Sequence, residues 1–132
     1  FRMKFLLDTN AVIAIIAGNS NVIERLSEFA PKDFGVPSVV MHELYFGAYK
    51  SQKVEANLAR IEGLRFEVLG FSESDGRAAG EIRAELKRQG SPIGPYDVLI
   101  AGQAVSRSLV LITHNVKEFR RVPGLRYEDW QS

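Results

Sequence analysis

Phe5-Leu6-Leu7-Asp8-Thr9-Asn10-Ala11-Val12-Ile13-Ala14-Ile15-Ile16-Ala17-Gly18 is the stretch that decides the fold. Phe5-Leu6-Leu7 is apolar without alternation, as in a short strand buried on both faces. The polar Asp8-Thr9-Asn10 reads as a helix start, with Thr9 or Asn10 as its cap. Ala11 to Ala17 is apolar almost throughout, so the helix should be buried, and Gly18 ends it. A buried strand running into a buried helix is the opening unit of a parallel α/β sheet.

Further along, strand and helix patterns keep alternating. A helix is expected from Asn21 to Phe29, with Val22, Leu26 and Phe29 on one face and Pro31 beyond its end. Phe34-Gly35-Val36 reads as a second strand, Val39 to Tyr49 and Val54 to Ile61 as helices, and Phe66 to Leu69 as a third strand. Ser72 to Gln89 is a long helix with Ala78, Ile82 and Leu86 as its apolar seam. The stiff loop Gly90-Ser91-Pro92-Ile93-Gly94-Pro95 precedes a helix from Tyr96 to Arg107. Leu109 to Ile112 is the fourth strand, a short helix follows Thr113-His114-Asn115, and Leu125 to Tyr127 is a last edge strand. The pattern predicts an α/β fold of three layers, α/β/α, with a four- or five-stranded, mainly parallel sheet.

One domain is expected over residues 3–132, with Met3 as the native start and Phe1-Arg2 a leftover ahead of it. The 132 residues include no cysteine, which excludes thiol catalysis and cysteine-held zinc and fits a reducing cytoplasm. No apolar run approaches the ~20 residues of a membrane span. With 17 Lys and Arg against 16 Asp and Glu, bulk charge alone would not carry nucleic-acid binding. Any basic patch must be offset by acids gathered elsewhere.

Three acids stand out. Ligands of open parallel sheets bind beyond the carboxyl ends of the strands, which is where Asp8 and the Thr113-His114-Asn115 segment fall. Glu43 borders the apolar stripe of Val40, Leu44, Gly47 and Ala48. Asp97 opens an apolar helix behind the rigid Gly94-Pro95 lead. Each has a structural alternative when read alone: helix cap for Asp8, boundary glutamate for Glu43, first-turn stabilisation for Asp97. Together they form an oxygen-only set suited to Mg²⁺ or Mn²⁺, hard cations that also bind phosphates. His42 and His114 form no close H-E-x-x-H pair, and phosphate-binding glycine loops, a nucleophile elbow and a D-x-D-x-T motif are missing.

These pieces resemble the motifs of PIN domains in order and spacing: Leu6-Leu7-Asp8-Thr9-Asn10, Glu43 with Leu44 and Gly47, Pro95-Tyr96-Asp97 with Ile100-Ala101, and Thr113-His114-Asn115 with Glu118-Phe119. Among PIN proteins the chain most resembles VapC toxins of bacterial toxin–antitoxin pairs, in particular the enteric subgroup. That resemblance implies a Mg²⁺- or Mn²⁺-dependent endoribonuclease that stops translation, with Asp8, Glu43 and Asp97 as metal ligands. It also implies a VapB-like antitoxin partner, a homodimer, and promoter DNA bound only through the antitoxin. Many PIN domains carry a fourth acid where this chain has Asn115, and Glu118 follows three residues later, so either completes the catalytic set. If Asn115 marks lost activity, the alternative is a catalytically weak PIN-like binding subunit of a DNA-binding regulatory complex.

RNA drawn to an acidic pocket needs cations at its rim. Arg83, Lys87 and Arg88 before the rigid loop, and Lys117, Arg120 and Arg121 after the last motif, are the candidates, with solvated helix faces as the plain reading of each. Tyr45, Tyr49 and Tyr96 are candidates for stacking on splayed bases, and Thr9 and Thr113 for bonding water or phosphate. By analogy with the subgroup, a structured loop such as a tRNA anticodon loop is the expected target, cut to leave 5′-phosphate and 3′-hydroxyl ends.

Overall fold

A computed structural model describes residues 2–132; Phe1 lies outside them. The elements run β1 (Phe5–Leu7), α1 (Thr9–Ile16), α2 (Ser20–Leu26), a 3-10 turn (Pro31–Asp33), β2 (Phe34–Pro37), α3 (Ser38–Tyr49), α4 (Val54–Glu62), β3 (Glu67–Leu69), α5 (Glu73–Arg88), α6 (Pro95–Ser106), β4 (Val110–Ile112), α7 (Val116–Phe119) and β5 (Tyr127–Glu128). The five strands form one sheet in the order β3-β2-β1-β4-β5, parallel at every pairing. Helices cover it in a three-layer α/β/α arrangement. No helix among the described residues is long and apolar enough to cross a membrane.

β1 is the central strand, and Leu6 and Leu7 are fully buried. β1 and β4 are adjacent although most of the chain lies between them. From β1 the sheet grows toward β2 and β3 on one side and toward β4 and β5 on the other. Such a reversal leaves a crevice at the carboxyl ends of the two inner strands.

Four local expectations are corrected. The cap of α1 is Asp8, whose carboxylate accepts the Ala11 N–H at 2.8 Å, rather than Thr9 or Asn10. α1 buries Ala11, Val12 and Ala14 but leaves Ile13 half-exposed, because the helical turn sends Ile13 to the opposite side. The seam of α5 runs through Asp75, Ala79, Ile82 and Leu86, one residue off the expected Ala78. The last strand starts at Tyr127 rather than Leu125, because the Leu125 N–H closes a turn onto Val122 and Gly124 adopts a φ of 78°.

α5 and α6 cross at contact distance. A β-carbon on Gly102 of α6 would sit 2.5 Å from the Ala79 β-carbon and 2.6 Å from its backbone, so only glycine fits. Next to this crossing, Arg107 donates to Asp75 at 2.9 Å and to the Gly70 carbonyl at 2.6 Å. Asp75 is fully buried and also closes the capping box of α5 with Ser72. Burial alone would raise its carboxyl, but the Arg107 guanidinium and the Ser72 N–H outweigh burial and hold it below its usual value.

Gly102→Ala is therefore expected to destabilise the protein by about 1–3 kcal/mol through overpacking, although alanine is the better helix former by about 1 kcal/mol. Gly80→Ala, in α5 with open space around it, should instead stabilise by about 0.5–1 kcal/mol. Urea denaturation of both variants checks the pair. Equal shifts of the same sign would show that the close crossing does not limit packing.

Candidate active site

Asp8 leaves β1 and Thr113 leaves β4 at the crevice, stitched by the Asp8 N–H donating to the Ile112 carbonyl at 3.3 Å. The Asp8 carboxylate is buried, and the Thr113 hydroxyl bonds it in addition to the Ala11 N–H. Glu43 arrives from α3, which follows β2, and the Thr9 hydroxyl donates to its Oε1 at 2.7 Å. Asp97 lies in the first turn of α6, and a β-carbon on Gly94 would come within 3.1 Å of its Oδ2. The glycine thus lets the carboxylate lie against the loop. Glu118 comes from α7, and the Asn115 amide donates to its Oε2 at 2.8 Å.

The charges on these acids act on one another. Burial raises the Asp8 carboxyl above its ordinary value, Thr113 and Ala11 oppose the rise, and the charges of Glu43 and Asp129 reinforce it. Asp97 is pushed up to about 7, by burial first, then by its hydrogen bond to Glu118 and by the charges of Glu118, Asp8 and Glu43. Glu118 moves the other way, lowered chiefly by the hydrogen bond from Asp97 and further by Asn115, Arg121 and the Gly94 N–H. When Asp97 carries a proton it donates to Glu118. The acids surround the crevice without forming a closed shell: among the described residues no three Asp, Glu or His side chains are grouped closely enough to hold a metal ion as they stand. The donor set still fits a hard divalent cation, since it is all oxygen and a cation would offset both the burial and the like charges that raise Asp97.

The other sequence candidates are spread more widely. Arg121 is brought to the site, where it donates to the Pro92 carbonyl at 3.1 Å and its charge acts on Glu118. Arg83 and Lys87 rim a largely apolar groove of about 530 Å³ between α5, the Pro92–Ile93 loop and the start of α6. Arg88 is held by Glu85 beside Pro123 and Gly124 and does not join that groove. Lys117 on α7 and Arg120 just past its end stand exposed. Tyr45 packs partly buried against the core, Tyr49 is exposed, and Tyr96 meets the His42 ring at 5.4 Å between centroids. The Thr9 and Thr113 hydroxyls are engaged with the Glu43 and Asp8 carboxylates and orient these acids.

One acid at this edge escaped the sequence reading. Asp129 follows β5, receives the His114 ring at 3.0 Å, and its charge reaches Asp8. The carboxyl-end rule would have found it had β5 not been expected to stop at Tyr127.

The sequence matches the PIN domain model over residues 5–125. It is 45% identical to a tRNA(fMet)-specific endonuclease VapC of Salmonella typhimurium, covering 97% of this chain and 98% of that one. Among solved structures, DNA-bound VapBC from Salmonella typhimurium matches with a TM-score of 0.92 at 45% identity, covering 97% of this chain and 98% of that one. VapBC2 from Rickettsia felis, bound to a fragment of promoter DNA, matches with a TM-score of 0.91 at 34% identity, covering 97% and 99%.

The Asp97 proton sets a pH dependence for the metal-free protein. In the unfolded chain Asp97 takes up its proton near 3.8, and in the folded chain near 7. Its contribution to stability is full below the lower value and is lost as pH rises through the higher one. Wild type in EDTA should therefore lose stability relative to Asp97→Asn between about pH 4 and pH 7. Denaturant unfolding at a series of pH values measures the gap. A gap that stays flat would mean that these carboxylates do not feel one another.

Proposed function

The chain belongs to the PIN domain family, and on that premise we propose that it is a Mg²⁺- or Mn²⁺-dependent endoribonuclease, the toxin of a toxin–antitoxin pair. The observation that carries the reading is the gathering of Asp8, Glu43, Asp97 and Glu118 around the crevice at the switch point of the sheet, close enough that their charges act on one another. A relative 45% identical is named for tRNA(fMet), which favours a tRNA, and within it a loop such as the anticodon loop, as the substrate. The structural neighbours, DNA-bound VapBC and VapBC2, support a VapB-like antitoxin as partner and promoter contact through that partner. The chain would act as a homodimer in the cytoplasm.

Asp8, Glu43 and Asp97 would hold the cation, with Glu118 beside them. When bound, the cation supplies an activated water for attack on phosphorus and offsets the charge developing on the phosphate. The residues of the chain do the rest. Ala11 and Thr113 fix the direction of Asp8, Thr9 fixes Glu43, and Asn115 fixes Glu118. Asp97 and Glu118 share a hydrogen bond, and an ionised oxygen of that pair would take the proton from the attacking water. Arg121 and, along the groove, Arg83 and Lys87 would meet phosphates of the incoming strand. Asn115, the residue that suggested a catalytically weak subunit, has a defined task as the donor that orients Glu118, and this supports the active reading.

Purified antitoxin-free protein with total RNA and Mg²⁺ or Mn²⁺ should give discrete cuts with 5′-phosphate ends. Asp97→Asn should abolish cutting while the fold is kept, since an amide retains shape but not the charge a hard cation needs. Glu118→Gln should cut more slowly but measurably. Unchanged cutting by folded Asp97→Asn would sink the assignment. A folded but fully inactive Glu118→Gln would promote Glu118 to a required ligand.

A further inference from the structure

The loop from Pro92 to Pro95 has a hollow on each side. On one side the Gly94 N–H bonds Glu118, and a β-carbon on Gly94 would come within 3.1 Å of Asp97 Oδ2. On the other side Pro92, Ile93 and Pro95 wall the groove of about 530 Å³ against α5 and α6. The acidic crevice and the groove therefore lie back to back across one stretch of backbone. Arg121 braces that stretch through the Pro92 carbonyl at 3.1 Å. Val98, which also lines the groove, directly follows Asp97 on α6.

The groove is apolar inside and cationic at its rim. On its α5 side Ala79 is buried, and a β-carbon on Gly80 would meet no atom within 4 Å. Arg83 and Lys87 stand exposed one helical turn apart on α5. Among the described residues neither enters a hydrogen bond or an ion pair, whereas Arg88 beside them is taken by Glu85. No acid is among the described residues that line the groove. An apolar slot edged by two free cations fits a ligand that is flat and weakly hydrated at one end and anionic at the other. An unpaired nucleotide has that form, with a base that packs by its face and a phosphate that carries the charge. A strand whose phosphodiester reaches the acids has only the Pro92–Pro95 wall to cross before a neighbouring base meets the groove.

Building on the ribonuclease reading above, we propose that the groove is a base subsite. An unpaired base of the RNA near the cut lies between α5 and the Pro92–Ile93 wall, and the phosphates flanking it meet Arg83 and Lys87. The apolar lining holds the base by its face, so the subsite requires that a base be present and splayed out, and places little demand on which base it is.

The test is a cycle between protein and substrate. An RNA oligonucleotide spanning a mapped cut, and versions with one abasic nucleotide at successive positions on either side of it, are cleaved with Mg²⁺ by wild type, Gly80→Leu, Gly80→Ala and the double variant Arg83→Gln/Lys87→Gln. One abasic position should cost wild type roughly five- to hundredfold in kcat/KM, the range that one stacked base is worth. Gly80→Leu puts a side chain where the base would lie. It should raise KM on intact RNA by a similar factor and lose nothing more on that abasic version, and Gly80→Ala should show a smaller loss of the same kind. The double variant should weaken on intact and abasic RNA alike, with the salt slope of log KM shallower by about 1–2. Melting curves confirm that each variant folds, and if Gly80→Leu does not, Gly80→Ala and the double variant carry the cycle. Losses that multiply, an abasic scan without effect in wild type, or an unchanged salt slope would overturn the proposal while leaving the ribonuclease reading intact. Wild-type cutting by Gly80→Leu would do the same and give the groove to a protein partner, and a changed molecular mass of Gly80→Leu in solution would give it to a second copy of the chain. Folded, metal-supplied wild type that cuts no RNA would overturn both readings.

Discussion

The Asp8 carboxylate, buried at the end of the central strand, is met inside the protein by the Ala11 N–H and the Thr113 hydroxyl. A carboxylate withdrawn from water is costly unless donors replace its hydration. Here one donor requires α1 to start at Thr9, and the other requires β4 to pair beside β1 with Leu7 opposite Ile112. The parallel pairing at the centre of the sheet and the charge at its edge therefore depend on each other. Donors soften the burial of Asp8 without cancelling it, and the charges of Glu43 and Asp129 add to what burial leaves.

Two aspartates of this chain show what a partner decides. Asp75 is fully buried, yet Arg107 faces it and its carboxyl is held low, so its work is structural. Asp97 has no cation to offset its burial and faces acids as well, so its carboxyl is raised to about 7. Strong shifts of the second kind, with like charges converging in a crevice, belong to sites that bind or react. The two are mechanically linked. Asp97 rides on α6, and α6 is set in place by the Gly102 crossing and by the Arg107 clamp on Asp75.

Much of this was legible in the sequence. Unalternating apolar triplets announced the inner parallel strands, and the acids at strand and helix ends announced the acidic edge. What stayed hidden depended on tertiary contacts. The cap at Asp8 could not be separated from Thr9 and Asn10, because all three residue types cap helices. Exposure of Ile13 follows from how little of α1 the core needs, which composition does not reveal. Asp75 lies outside every motif, and its cation is supplied from α6 by Arg107. Asp129 was concealed by a two-residue edge strand whose ladder begins only after a turn closed by Leu125. Arg88 looked equivalent to Arg83 and Lys87, yet the turn of α5 sends it to Glu85 and the far side.

The strand order has a bearing on how the chain behaves while it is being made. Synthesis proceeds from the amino terminus, so β1 and Asp8 emerge early, but the strand that flanks β1 on its other side is β4, Val110–Ile112, and Glu118 comes later still. Until those residues have left the ribosome, β1 is an edge, Asp8 lacks the Thr113 hydroxyl, and Asp97 has no Glu118 to share a proton with. A nascent or truncated chain therefore lacks the assembled acidic crevice however well its first half is folded. Topology alone postpones the joining of these acids until β4 and α7 have been made.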